Sequence, residues 1–117
     1  MKKTEYIEKL FGCTGRKAVV TGASSGLGAE ISRALVYAGA QVIGVARRKM
    51  QLDRLRVELN DASGKFIPCA ADLSSESGLN QVVVAATDLG GCDIVVANAG
   101  TAERQLLKNT AKSDFDQ

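Results

Sequence analysis

Short apolar runs alternate with helix-patterned segments along this chain, and that alternation most constrains what it can fold into. Four runs, at residues 18–20, 41–46, 65–69 and 93–97, are short and mainly apolar, as buried strands are, and 41–46 is also rich in β-branched residues. Strands alternating with helices predict a parallel sheet covered by helices on both faces. Right-handed crossovers then give the strand order 3-2-1-4, so the sequence predicts an α/β, Rossmann-type doubly wound parallel sheet.

Apolar residues recur at helical spacing in the three segments between these runs, which predicts a helix in each segment. They are Leu27, Ile31, Ala34, Leu35 and Ala38 in the first segment, Leu52, Leu55 and Leu59 in the second, and Leu79, Val82, Val83 and Ala86 in the third. The third strand is the weakest prediction, because Pro68 has no N–H to donate to a neighbouring strand.

The first strand runs into a glycine-rich turn, residues 21–28, with the sequence TGASSGLG. Glycines adopt backbone angles that other residues resist, and they let the main chain approach a ligand closely. The start of the following helix offers unpaired N–H groups and partial positive charge, which suit a pyrophosphate. The spacing Gly-x-x-x-Gly-x-Gly differs from the common dinucleotide fingerprint. The context favours dinucleotide binding, and a tight strand-to-helix turn without a ligand is the alternative.

Two arginines, Arg47 and Arg48, directly follow the second strand. An NAD-binding chain is expected to place an acid for the ribose hydroxyls in this region. Guanidinium groups instead suit the oxygens of a phosphate, and basic charge at a helix start is unfavourable without an anion. The pair therefore favours NADP, with NAD less favoured. The alternative is that Arg47, Arg48 and Lys49 form a solvated helix start.

The tripeptide Asn98-Ala99-Gly100 follows the fourth strand. The carboxyl ends of parallel strands face the ligand crevice, and small residues there let the backbone approach a ribose. The Asn98 amide is also suited to tying neighbouring strands together. Taken alone, the tripeptide is more typical of an ordinary turn.

Residues 21–28, Ala71-Asp72-Leu73 and Asn98-Ala99-Gly100, at these separations, resemble the short-chain dehydrogenase/reductase (SDR) family, and the resemblance covers residues 12–117. It implies that the pyrophosphate and adenosine ribose are lined by Gly22, Ser24, Gly26, Leu27 and Gly28, with Ser25 in the same loop. It places Arg47 at the NADP-selecting position with Arg48 beside it, and Asp72 and Leu73 on the adenine. It places Asn98, Ala99 and Gly100 beside the nicotinamide-side ribose.

Two residues depart from the family pattern. Ala97 stands where many members carry asparagine, and Ser25 stands where some NADP-dependent members carry a basic residue. The second departure makes the prediction of NADP depend mainly on Arg47.

The resemblance implies hydride transfer between a nicotinamide and a carbonyl or alcohol substrate, with a Tyr-x-x-x-Lys pair as the acid–base group. The lysine ammonium stabilises the phenolate of the tyrosine. The two tyrosines here, Tyr6 and Tyr37, have no lysine four residues later. We therefore expect the N-terminal portion of an NADP(H)-dependent oxidoreductase, inactive alone, with catalytic serine, tyrosine and lysine beyond residue 117. A non-catalytic dinucleotide-binding half-domain, acting as a sensor or partner subunit, is the alternative.

Residues 1–15 are expected to be a leader that packs on the domain, and residues 16–117 an NAD(P)-binding domain incomplete at its C-terminus. A formal charge of +2 without a basic block argues against nucleic acid. No signal-peptide or membrane-spanning pattern occurs. Three scattered cysteines and no histidine argue against a metal site and fit the cytoplasm. The expected partners are a small carbonyl or alcohol substrate and, at full length, further copies of the protein.

Overall fold

The computed structural model describes residues 12–98, and strands and helices alternate strictly through this part of the chain. The strands are β1 (Lys17–Thr21), β2 (Gln41–Ala46), β3 (Lys65–Ala70) and β4 (Ile94–Val96), and the helices are α1 (Gly26–Tyr37), α2 (Lys49–Glu58) and α3 (Glu76–Asp88). All pairings are parallel, and the strand order is β3-β2-β1-β4. The predicted doubly wound sheet and its strand order are confirmed.

Neighbouring residues of the central strands pack on opposite faces of the sheet. Val20 and Val42 belong to one buried cluster, with residues of α1 and α2. Val19 and Ile43 belong to a second cluster, with residues of α3. Because both faces are covered, these strands are continuous apolar runs rather than alternating ones.

Helix α1 packs on the sheet through a narrower face than its apolar residues predict. Its buried residues are Gly28, Ala29, Ser32 and Val36. Leu27 and Ala34, two of the apolar residues at helical spacing, are exposed. Ser32 tolerates burial because its hydroxyl donates a 2.8 Å hydrogen bond to the carbonyl oxygen of Gly28. Small residues bring this helix close to the sheet, and a count of apolar side chains does not detect them.

Helix α3 shows the same effect. Val83, which the sequence pattern groups with Val82 on one face of the helix, is 59% exposed. The buried residues of the helix are Gly78 and Val82, one turn apart. Gly78 lies so close to the main chain of Asp72 that a Cβ atom there would come within 1.8 Å of the Asp72 carbonyl oxygen. This contact defines the inner face of the helix, and Val83 falls outside it.

Pro68 fits because β3 pairs with β2 and, among residues 12–98, with no strand on its other side. Prolines are tolerated on such edge strands. The strand Lys65–Ala70 is one residue longer than predicted, whereas Ile94–Val96 is shorter than the predicted 93–97.

Part of the predicted leader is described. The N–H of Cys13 donates a 2.7 Å hydrogen bond to the carbonyl oxygen of Ala38, and its side chain packs against the cluster beneath α1 and α2. Residues 1–11 and 99–117 lie outside the described residues, so the division of the chain at residue 15 stays a prediction. Within residues 12–98, no helix is long and apolar enough to cross a bilayer, and no three metal-ligating side chains come together.

Candidate cofactor-binding site

A cavity of about 690 Å³ opens where β1, β2 and β3 end. Its walls come from the turn after β1, the segment after β2 and the segment after β3, which parallel pairing brings to one edge of the sheet. The lining residues are Gly22, Ser24, Ser25, Val45, Ala46, Arg47, Arg48, Gln51, Ala71, Asp72, Leu73 and Ser74. The fold thus brings together three separate segments in which the sequence predicted site residues.

The glycines of the turn are required by its own geometry. Gly22 and Gly26 have φ angles of 65° and 56°, a region that strains any side chain. A Cβ atom on Gly28 would come within 2.0 Å of the carbonyl oxygen of Gly22. A turn without a ligand would need the same residues, so the glycines explain the shape of the turn and other features must indicate the ligand.

The starts of α1 and α2 lack a side-chain cap. Ser25 is the N-cap residue of α1 and Arg48 that of α2, and neither side chain makes a capping hydrogen bond. In α3, by contrast, Ser75 Oγ accepts a 3.0 Å hydrogen bond from the N–H of Gly78. The first N–H groups of an uncapped helix need an outside acceptor. Ser25 and Arg48 both line the cavity, so these N–H groups are accessible to water or to an anion inside it.

The cavity has a basic wall facing one carboxylate. Arg47 and Arg48 line it, and the first turn of α2 carries no acidic residue. The hydroxyl and the backbone N–H of Ser74 hold the pKa of Asp72 below its ordinary value, and the Arg47 guanidinium acts in the same direction. Asp72 is therefore an anion close to the basic wall.

Asn98 lies on the far side of the glycine turn. Its backbone N–H donates a 2.8 Å hydrogen bond to Oγ1 of the buried Thr21, whose hydroxyl donates to the Val96 carbonyl oxygen at 3.4 Å. Thr21 and the Asn98 main chain therefore link β1 to the end of β4. The Asn98 side chain packs against the turn, where its Nδ2 atom lies 3.0 Å from the place of a Cβ on Gly28.

The remaining predicted residues are placed as follows. Gly26, Leu27 and Gly28 form the first turn of α1 beside the cavity without appearing in its lining, and Leu27 is 65% exposed. Ala99 and Gly100 lie outside the described residues.

The sequence interpretation missed Gln51 and Ser74, which both line the cavity. Gln51 follows Arg48 by three residues, so the two share one side of the first turn of α2. Ser74 follows Asp72 by two residues, the spacing at which an aspartate bonds to its own backbone in a turn. Both spacings are visible in the sequence.

Comparison with known proteins decides the family. The family model described as short chain dehydrogenase matches residues 16–117. The chain belongs to this family. The dehydrogenase/reductase SDR family member 11 of Gallus gallus is 41% identical over 97 residues, covering 80% of this chain and 38% of that protein. The chain spans less than half the length of the curated SDR relatives it matches.

Solved SDR structures have the same fold. A short-chain dehydrogenase/reductase from Mycobacterium marinum superimposes with a TM-score of 0.79 at 28% identity, covering 93% of this chain and 54% of that one. L-sorbose reductase from Gluconobacter frateurii, solved with NADPH and L-sorbose, gives 0.72 at 34% identity, covering 78% and 35%. The resemblance to the SDR family is confirmed, and the contacts of individual residues with a cofactor stay predictions.

Proposed function

We propose that this chain supplies the NADP(H)-binding site of a short-chain oxidoreductase, which transfers hydride between the nicotinamide and a carbonyl or alcohol carbon. One observation carries the proposal: the uncapped starts of α1 and α2 open on one cavity whose wall holds Arg47 and Arg48. N–H groups and cations at two separate points suit a ligand with two separate anionic groups. The pyrophosphate and 2′-phosphate of NADP are such a pair.

The glycine turn and the start of α1 would hold the pyrophosphate and the adenosine ribose. The N–H groups of that helix face the anion, and Ser24 and Ser25 add hydroxyl donors at the cavity wall. Gly22, Gly26 and Gly28 keep the turn free of side chains, and Leu27 lies beside them. The positive end of the α1 dipole favours the negative charge.

The ends of β2, β3 and β4 would hold the rest of the ligand. Arg47 binds the 2′-phosphate, with Arg48 beside it, because forked guanidinium donors match phosphate oxygens. Asp72 accepts a hydrogen bond from the exocyclic amine of adenine, and Leu73 covers the ring. The segment 98–100 borders the nicotinamide-side ribose.

The choice of NADP over NAD rests on the residue after β2. An NAD-binding chain is expected to carry a carboxylate near this position, for the ribose 2′-hydroxyl. Here Arg47 follows the strand and lines the cavity. The related L-sorbose reductase was solved with NADPH, which supports a nicotinamide dinucleotide as the ligand of this cavity.

In this proposal, acid–base catalysis does not come from Tyr37, the tyrosine within residues 12–98. Tyr37 ends α1, the helix that begins beside the cavity, and it precedes the amino end of β2. It therefore lies at the opposite edge of the sheet from the cavity. The carbonyl or alcohol substrate, homo-oligomerisation and a cytoplasmic location stay predictions from the sequence.

Calorimetric titration of the protein expressed from its complete reading frame, with NADPH and with NADH, tests the proposal. We expect NADPH to bind about 10 to 100 times more tightly, because hydrogen bonds between charged groups contribute about 1.5–3 kcal/mol. Nicotinamide absorbance should then fall when a panel of ketones and aldehydes is added. Absence of binding by either nucleotide contradicts the proposal, whereas binding without turnover on any substrate supports the non-catalytic alternative.

A further inference from the structure

The carboxylate of Asp72, at the cavity wall, is held in place by a residue two positions later in the chain. Asp72 Oδ1 accepts two hydrogen bonds from Ser74, at 3.0 Å from the backbone N–H and at 2.6 Å from the hydroxyl. Within residues 12–98, no hydrogen bond reaches Oδ2 of Asp72. The orientation of the carboxylate is thus set by one oxygen, and the other is left to accept from a ligand.

The main chain beneath this carboxylate is held by different groups. The carbonyl oxygen of Asp72 accepts hydrogen bonds from the N–H of Ser75 at 3.2 Å and from its hydroxyl at 2.9 Å. Gly78 packs against the same peptide with no room for a side chain. Ser75 therefore holds the backbone and caps α3, whereas Ser74 holds the carboxylate. Because the two serines act on different atoms, their effects can be measured separately.

We propose that Ser74 is a positioning residue of the adenine subsite, which orients Asp72 so that Oδ2 accepts the hydrogen bond of the exocyclic amine. This inference rests on the proposed function, since it requires an adenine nucleotide in the cavity. An unrestrained carboxylate loses rotational freedom when it binds a donor, and fixing it beforehand removes that cost. Ser74 thereby strengthens binding through Asp72, in addition to lining the cavity itself.

The charges around Asp72 determine how binding depends on pH. The hydroxyl of Ser74 is the largest cause that lowers the pKa of Asp72, followed by its backbone N–H, with the Arg47 guanidinium contributing less. Two further charged residues lie on the elements around it, Arg48 at the cavity wall and Glu76 in the first turn of α3. Removing the hydroxyl raises the pKa of Asp72, so the weaker, protonated acceptor forms at higher pH.

Calorimetric titration with adenosine 2′,5′-bisphosphate tests this role in the protein expressed from its complete reading frame. Ser74→Ala should weaken binding about five-fold at neutral pH, the effect of one lost hydrogen bond. The ratio of the variant's Kd to the wild-type Kd should increase as the pH falls, because the carboxyl of the variant protonates first. A ratio of Kd values cancels the titration of the ligand's own phosphates. Ser74→Thr, which keeps the hydroxyl, should restore wild-type binding.

Two serine variants on the same segment are matched controls. Ser77→Ala removes an exposed hydroxyl in the first turn of α3 and should leave Kd unchanged at every pH. Ser75→Ala removes the cap and should lower the unfolding temperature without producing the pH-dependent ratio. If Ser75→Ala reproduces that ratio, the effect of Ser74 is structural and the inference is overturned.

A double-mutant cycle with Asp72→Ala completes the test. If Ser74 acts through the carboxylate, Ser74→Ala should have no further effect in the Asp72→Ala background, where Ser74 has no side-chain acceptor at this position. Full additivity, or a Ser74→Ala variant that binds like the wild type at all pH values, overturns the inference and leaves the proposed function standing. If the wild-type protein binds neither the bisphosphate nor NADPH, the proposed function fails and this inference fails with it.

Discussion

Arg47 and Asp72 follow neighbouring strands of the sheet, and their charges meet at the wall of one cavity. The pKa of the Asp72 carboxyl is lowered mainly by Ser74 and further by the Arg47 guanidinium. Neither side chain is neutralised by a direct ion pair within residues 12–98. At the scale of single residues, the cavity wall therefore presents charges of both signs, to which the proposed cofactor would bring a phosphate and an amine.

Arg47→Asp should move the cofactor preference from NADPH toward NADH. The new carboxylate repels the 2′-phosphate and accepts a hydrogen bond from the 2′-hydroxyl of NADH. We expect affinity for NADPH to fall about 10 to 100 times, in line with the loss of a charged hydrogen bond. The measurement is a pair of calorimetric titrations on each variant.

Arg56→Asp is the matched control, because it makes the same charge change near the other end of α2, away from the cavity lining. It should leave the ratio of the two affinities unchanged, apart from a small salt-dependent effect of net charge. An unchanged ratio in Arg47→Asp, or an equal change in both variants, would refute the assignment of Arg47 as the selecting residue.

At the scale of the element, close packing of small residues positions α1 and α3. Gly28 lies against the carbonyl group of Gly22, and Gly78 lies against that of Asp72. Each glycine is in the first turn of its helix, next to a segment that lines the cavity. In α1, whose first N–H groups have no side-chain cap, this contact places those groups beside the cavity, where the proposed pyrophosphate would bind.

Gly28→Ala should destabilise the protein by about 3 kcal/mol, at the upper end of the cost of overpacking, because the new methyl group meets main-chain atoms rather than a flexible side chain. Gly26→Ala is the graded comparison, since its φ of 56° strains a side chain but no atom lies within 4 Å of the new methyl group. That strain alone should cost about 1 kcal/mol. Urea denaturation gives both free energies of unfolding, and a smaller loss for Gly28→Ala would be inconsistent with the close contact.

The sequence was sufficient to predict the order of elements, the parallel sheet and three of the cavity's segments, because each depends on local periodicity and on turn residues. It was insufficient for the contact faces of the helices. Ser32 and Gly28 are buried where an apolar count selected Leu27 and Ala34, since burial of a serine depends on its hydrogen bond to Gly28. Ser74 was missed for a similar reason. Its hydroxyl donates a hydrogen bond to the Asp72 carboxylate, and a hydropathy pattern does not register hydrogen bonds.

At the scale of the whole molecule, the two ends of each helix lie at opposite edges of the sheet. The cavity lies where β1, β2 and β3 end, and Tyr37 lies at the carboxyl end of α1, where Ser63 donates a 2.9 Å hydrogen bond to its carbonyl oxygen. A tyrosine at that edge cannot exchange a proton with a substrate beside the nicotinamide. Tyr6, the other tyrosine in the chain, lies outside the described residues. The architecture thus assigns no acid–base role to Tyr37 at the cavity.

The 117-residue chain, purified by itself, should therefore bind NADPH without oxidising it in the presence of a panel of ketones and aldehydes. Binding is checked by calorimetry and turnover by nicotinamide absorbance, with the protein from the complete reading frame measured in parallel. Bound nucleotide should raise the free energy of unfolding by about 2.7 kcal/mol at a hundred-fold excess over Kd, because it binds the native state alone. Tyr37→Phe should change neither binding nor turnover in either protein. If the 117-residue chain shows turnover and Tyr37→Phe abolishes it, the edge of the sheet opposite the cavity takes part in catalysis. That result would contradict the separation of Tyr37 from the cofactor.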